Sequence, residues 1–341
     1  MTSREALVSL PVPRLGLFIR TLLALAILLL IAAFWMNASW AQTKVFRVGI
    51  LNSINREQMR DFLLPFYQTL GEHGWVEGKN VLFEFRDSGG DPTRLAEPAA
   101  ELVRLKVDVL FPVGPASVRA AFAGTRDIPI VAHDLDNDPV DAGYAQSYSK
   151  PGGNVTGVFL DSPELAGKWV ELLKSIVPSL SRVVVLWDPT SGPVRLDAVR
   201  AAAAKLGVRL QVLEVRTPAD INKAPSAFGG RAQAMIIVPS PMMWSLSKRL
   251  AQVANKHRLP AISMLVPFAD AGGLLVYGPD MPATSEQCAV LVAKVLGGAK
   301  PSDLPIERPT KFEFVLNVKT AKDLHLTVPP TMLLSADKLI K

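Results

Sequence analysis

A chain of 341 residues with 49% hydrophobic content is long enough for two α/β domains with full cores, and it contains no low-complexity tract that would indicate disorder. Lys and Arg (37) exceed Asp and Glu (31) by six, with the charges interspersed, so no basic run points to nucleic acid. The single cysteine, Cys288, rules out an intrachain disulfide framework.

Residues 1–41 read as an export signal. Arg4, Arg14 and Arg20 stand against one acid, Glu5, and residues 22–34 are thirteen apolar residues in a row. Ser39 and Ala41 form a small-x-small cleavage site, so cleavage is expected after Ala41. The mostly apolar run from 21 to 36 is sixteen residues, short of the ~20 that span a bilayer. There is no Arg-Arg pair, and no cysteine follows the signal to carry a lipid. Removing three basic residues and one acid leaves a chain of net charge +4, expected in the periplasm.

Beyond the signal, strands and helices alternate. Residues 46–51 (FRVGIL) read as a first strand ending at polar Asn52-Ser53, and 57–73 as an amphipathic helix. Residues 81–86 are a second strand, and Asp91-Pro92 opens a helix to about 106. Residues 107–113 (VDVLFPV) are a third strand, and Gly114-Pro115 turns it into a helix, because proline suits a first turn whose N–H is unpaired anyway. Residues 128–132 are a fourth strand, leading to an acidic loop in which Asp138-Pro139 reads as a helix start. Residues 155–160 are a strand and 164–176 a helix.

The pattern then starts again. Strands are expected at 182–187 (RVVVLW), 208–215, 234–238, 260–264 and 272–277, with helices over 194–206, 219–228, 242–257 and 283–296. RVGILNS from Arg47 matches RVVVLWD from Arg182, VDVLFPVGP from Val107 matches AQAMIIVPSP from Ala232, and IPIVAHD from Ile128 matches LPAISML from Leu259. Strand–helix alternation in both halves predicts two doubly wound parallel sheets. Residues 304–319 alternate, with Phe312, Phe314, Leu316 and Val318 on one face. Such a late strand crosses back between domains, and several crossings make a hinge.

The segments LGEHGWVEGKN (70–80), PGGNVTG (151–157), GKWVELL (167–173), GGLLVYGP (272–279), GGAKPSDL (297–304), PTKFE (309–313) and NVKTAKDL (317–324) resemble the ABC transporter substrate-binding proteins, in the branch of tryptophan/tyrosine-type uptake. The resemblance runs from about Val45 to Ile340. It implies the type I periplasmic-binding fold: one lobe of residues 42–157 plus about 278–308, the other of 158–277 plus about 309–341, joined by a multi-crossing hinge. It further implies a monomeric receptor that hands a small organic solute, an amino acid as first expectation, to permease subunits at the inner membrane. Neither cofactor nor metal is implied. Where the family usually has a polar turn after the third strand, this chain has Gly114-Pro115-Ala116.

In that fold the cleft is lined by loops at the carboxyl ends of strands. The candidate ligand-binding residues are Asn52, Ser53, Gly114, Pro115, Ala116, Asp134, Asp136, Trp187, Asp188, Pro239, Ser240, Met264 and Tyr277. Each has a plainer reading as part of a solvated turn. Trp187 suits core packing as well as stacking on a ligand, and Asp188 suits a cap on the turn that follows. Asp134, Asp136 and Asp138 have a metal-like spacing, but an EF-type loop needs Gly and Glu where Pro139 and Ala145 stand. One of these carboxylates is better placed to hold a ligand ammonium. The chain lacks nucleotide-binding glycine motifs, HExxH and GxSxG, and Cys288 sits in an apolar helix. Two alternatives remain: an enzyme on the same scaffold built on His133 and Asp134, and a sensory module feeding a signalling partner.

Overall fold

Unbroken runs of Val, Ile and Leu suit strands covered on both faces, and this chain uses them so. In the computed structural model, which describes residues 44–160 and 163–341, β1 (Phe46–Asn52), β2 (Val81–Asp87), β3 (Val109–Pro112), β4 (Ile130–Asp134) and β5 (Val155–Phe159) form one sheet. Its order is β2-β1-β3-β4-β5 and every pairing is parallel. Helices α1 (Arg60–Glu72), α2 (Ala96–Arg104) and α3 (Pro115–Gly124) make the crossovers. The expected signal, 1–41, lies outside the described residues.

The second half repeats the plan. Helix α4 (Pro163–Ile176) leads to β6 (Arg182–Trp187), α5 (Val194–Lys205), β7 (Arg209–Glu214), β8 (Ala234–Ile237), α6 (Pro241–Ser245), α7 (Ser247–Lys256), β9 (Ala261–Ser263), α8 (Val266–Asp270) and β10 (Leu275–Pro279). Then follow α9 (Met281–Leu296), β11 (Phe312–Asn317), α10 (Val318–Asp323), α11 (Pro330–Ser335) and β12 (Lys338–Ile340). The second sheet runs β7-β6-β8-β9-β10-β11-β12. Its first five strands reproduce the order of the first sheet. Strand β11 is antiparallel to β10, and β12 is parallel to β11.

Strand alternation divides the first sheet's core in two. Ile50, Phe111, Val131 and Val158 face α1 and α9, while Leu51, Leu110, Ala132 and Phe159 belong to the cluster on α2 and α3. Phe66 of α1 stacks on Phe111 at 4.4 Å between ring centres. The second sheet has one continuous core, in which Trp169 of α4 is fully buried and donates its indole N–H to the Tyr277 carbonyl at 2.8 Å.

The chain crosses between the sheets three times. It leaves β5 for α4, leaves β10 for α9, and leaves the first sheet again for β11. Helix α9 packs Cys288, Val292 and Leu296 against Phe62 and Phe66, and Ser285 Oγ donates to the Phe62 carbonyl. Beyond α9 the chain runs beside β5, where the Glu307 N–H donates to the Gly157 carbonyl at 2.9 Å. Gly157 has φ +148°, and a Cβ there would lie 2.0 Å from the Ala132 carbonyl oxygen, so β4 and β5 pair as they do only with glycine at this position.

Several elements differ from expectation. The run over 304–319 is a strand only at Phe312–Asn317, because Pro305 and Pro309 supply no N–H to a ladder. The helix expected over 242–257 breaks at Leu246, where the Ser247 hydroxyl donates to the Trp244 carbonyl at 2.8 Å. Residues Pro218–Gly229 wind as a 3-10 helix. Asp138-Pro139 starts a turn and not a helix, with the Asp138 carboxylate accepting the N–H groups of Val140 and Asp141.

Candidate functional site

In the order 2-1-3-4-5 the crossovers after the first and third strands leave to opposite sides, and the crevice between these strands' carboxyl ends is where a ligand is held. Asn52 ends β1 and is buried. Its amide Nδ2 donates to the Val113 carbonyl at 2.8 Å and its Oδ1 accepts the Ile54 N–H at 2.9 Å, bracing the mouths of β1 and β3 against each other. Gly114 has φ +91° and precedes Pro115, the first residue of α3. A side chain would be strained at that φ although nothing nearby fills its space, so the glycine serves the turn. The second sheet shows the same device: Ser240 caps α6, its hydroxyl accepting the Met243 N–H at 3.2 Å, and Pro241 follows.

Strand β4 delivers a third mouth. The His133 ring lies edge-on to Phe62 at 4.9 Å, with Nε2 3.1 Å from the Thr284 hydroxyl of α9. Burial pushes its pKa down to about 4, so it is neutral at pH 7. The buried Asp134 accepts the N–H groups of Asp136 and Asn137 at 3.0 and 3.2 Å and the Asn137 amide at 2.7 Å. Burial, with Asp136 beside it, pushes Asp134 up to about 6. Burial also raises Asp136, against the opposing pull of Arg195 and then Arg119.

Between these mouths lies a cavity of about 160 Å³, the volume in which an apolar pocket accepts roughly one aromatic ring. Its walls are mostly apolar, with Met59, Phe62, Leu135, Met264 and Met281 prominent. The charged side chains in the lining are Asp136 and Arg195. Arg195, in the first turn of α5, reaches from the second half to the first: Nη2 donates to the Leu135 carbonyl at 2.6 Å and pairs with the Asp136 carboxylate. Its Nη1 meets the Met264 sulfur at 3.1 Å.

Of the sequence-predicted residues, Asn52, Gly114, Pro115, Asp136, Pro239, Ser240 and Met264 line the cavity. Ser53 and Ala116 line a smaller recess of about 40 Å³ that shares Gly114, Asp136 and Ser240 with it. Four others lie elsewhere. Asp134 is occupied by its own loop. The Trp187 indole N–H donates to the Gly192 carbonyl at 3.0 Å, and its ring packs on the second core. Asp188 caps the following turn, accepting the Thr190 N–H at 2.9 Å and hydroxyl at 2.7 Å. The Tyr277 ring stacks on Phe312, 6.1 Å between centres.

Sequence reasoning missed Gln58, Met59, Phe62, Trp244, Met281 and Arg195. The α1 and α9 residues carry no local mark, because an apolar residue on a cavity wall looks like one in a core. Arg195 did carry one: a cation in a helix's first turn opposes the macrodipole and invites another explanation. Among the described residues no cluster of His, Cys, Asp and Glu could hold a metal ion, and no helix is long and apolar enough to cross a membrane.

Comparison with known proteins gives concordant matches. A family model described as ABC transporter substrate binding protein matches residues 47–340. The "Tyrosine-binding protein" of Clostridioides difficile (strain R20291) is 25% identical over 293 residues, covering 85% of this chain and 84% of its own length. A conserved domain protein from Vibrio cholerae superposes with TM-score 0.79 at 25% identity, over 87% of this chain and all of that one. A Streptococcus pneumoniae ABC domain in complex with L-Trp gives TM-score 0.78 at 23% identity, with the same coverage. The two sheets match the type I periplasmic-binding fold.

Proposed function

This chain belongs to the ABC transporter substrate-binding protein family, so it binds a solute for an ABC transporter and works outside the cytoplasm, and we propose that it is the periplasmic receptor for a small amino acid-like molecule. The observation that carries this is the cavity closed from both sides by strand mouths, apolar in most of its wall and charged at one edge. A solute with an apolar side group and a polar head suits such a site. The name of the tyrosine-binding relative supports the same solute class.

In this reading Asn52, Gly114, Pro115, Asp136, Pro239, Ser240 and Met264 contact the solute, and Ser53 and Ala116 flank it. The halves act as lobes, with residues 42–157 plus about 278–308 in one and the rest from 158 in the other, the first boundary falling within β5. Three crossings let the lobes rotate without unravelling either sheet, and the solute favours the closed state by touching both. The closed form then meets the permease subunits. The protein acts as a monomer, with the signal removed after Ala41.

The test is a thermal-shift screen on protein stripped of co-purified solute. L-Tyrosine or L-tryptophan at about 100 times its Kd stabilises the fold by roughly 2.7 kcal/mol. A shift with sugars and none with any amino acid would overturn the solute class and leave the receptor standing.

A further inference from the structure

The guanidinium of Arg195 is buried, with 5% of the residue exposed, at the edge of an otherwise apolar cavity. A guanidinium carries five N–H donors and no acceptor. Here the two oxygens it meets, the Leu135 carbonyl and the Asp136 carboxylate, both bind Nη2. Among the described residues Nη1 meets only the thioether of Met264, a weak acceptor. Nε is buried without any partner. Among the described residues one carboxylate, Asp136, pairs with Arg195. A buried cation whose donors are poorly matched is costly unless something else completes it.

We propose that Arg195 selects solutes bearing a carboxylate, which binds Nη1 of its guanidinium in place of the weakly accepting Met264 thioether. This rests on the reading that the cavity is the solute site. It adds the group that the site requires: an anionic head joined to an apolar body. Arg195 stands on the second half and already holds the β4 loop of the first half through Nη2. A carboxylate on Nη1 is therefore bound to the residue that joins the two halves. An amine without a carboxylate finds no such place among the described residues of the site, because Asp134 is engaged by its own loop and Asp136 is held by Arg195.

Three probes separate these requirements: L-tyrosine, 3-(4-hydroxyphenyl)propionate, which lacks the ammonium, and tyramine, which lacks the carboxylate. In calorimetric titration of the solute-free protein, the two acids bind and tyramine binds at least ~10-fold more weakly. Arg195→Gln weakens both acids by about 10–100-fold and leaves tyramine unchanged, and Arg195→Lys recovers part of the loss because it keeps the charge without the guanidinium's geometry. Equal loss for all three probes in Arg195→Gln would reduce Arg195 to a structural tie and overturn the proposal. So would acids bound as tightly by the variant as by the wild type. The wild-type contrast between acid and amine needs no variant: tyramine binding while both acids are silent overturns the proposal and leaves the receptor reading intact. Arg195-dependent binding of 3-(4-hydroxyphenyl)propionate without L-tyrosine supports the proposal and overturns the amino acid assignment. Silence of all three overturns both.

Discussion

The two sheets share one strand order, yet their first mouths do different work. At the end of β1, Asn52 bonds both neighbouring backbone segments and lines the cavity. At the end of β6, Trp187 and Asp188 turn away: one donates to Gly192, the other caps a 3-10 turn. The second half makes up the difference from other places, with Pro239 and Ser240 after β8, Met264 after β9 and Arg195 on α5. Topology decides where a mouth lies. The side chains needed to satisfy the turn decide whether anything is left for a ligand.

The strongest way to break this comparison is at the last parallel strand of each half. Gly157 in β5 faces backbone at 2.0 Å, whereas a Cβ on Gly278 in β10 would meet the Met264 side chain at 2.6 Å. Gly157→Ala is expected to cost more than about 4 kcal/mol or to prevent folding, because neither strand can move without losing its ladder. Gly278→Ala costs about 1–3 kcal/mol, because Met264 lies just past the end of β9 and must shift together with its Cβ, and the displaced cavity wall lowers solute affinity. Urea denaturation and calorimetric titration read both. Equal losses of stability would mean that the two sheets yield alike.

The β4 mouth has no counterpart in titratable groups after β9, and pH sharpens that difference. His133 is held down to about 4, so its contribution to stability is present above its ordinary pKa and is lost as pH falls from about 6.5 to 4. Asp134 is held up to about 6, so its contribution is present below the ordinary carboxylate pKa and is lost as pH rises from about 4 to 6. Each is worth about 3 kcal/mol, with opposite slope over nearly the same window. The wild type is therefore expected to show a flat contribution from this pair between pH 4 and 6. Asp134→Asn exposes the histidine slope, with stability falling toward acid, and His133→Asn exposes the reverse. Denaturant midpoints at pH 4, 5 and 6 check the signs.

The smallest effects separate the two first mouths. Asp188→Ala loses a cap and costs about 1 kcal/mol, with solute affinity unchanged. Asn52→Ala loses two bonds of similar worth, about 1–2 kcal/mol, and also weakens solute binding. Equal affinity in both variants would place the solute away from the β1 mouth.

Much of this was legible in the sequence. Apolar runs without polar alternation marked β1, β3, β6 and β8 as buried parallel strands, and Gly114-Pro115 and Pro239-Ser240-Pro241 marked two helix starts at the cleft. Those signals are local: a missing N–H, a positive φ, a side chain that can cap. Trp187, Asp188 and Tyr277 were drawn into the candidate site by the same local logic, since each ends a strand. Their own turns, caps and ring stacks claim them instead, and only packing reveals that.

By itself the sequence determined the α/β alternation, the repeat of one strand–helix pattern, and the expectation of a cleft at the strand ends, because hydrophobic period and turn chemistry are properties of neighbouring residues. Tertiary structure decided which side chains reach the cavity. Arg195 lies 59 positions from Asp136 and Met59 lies 222 from Met281, and such pairs meet only because the chain crosses between the halves. Strand β11 shows the same division: its alternation was visible, but Pro305 and Pro309 limit its length and β10 supplies its antiparallel partner. Contacts between distant segments depend on the geometry of the whole fold, and no local pattern encodes them.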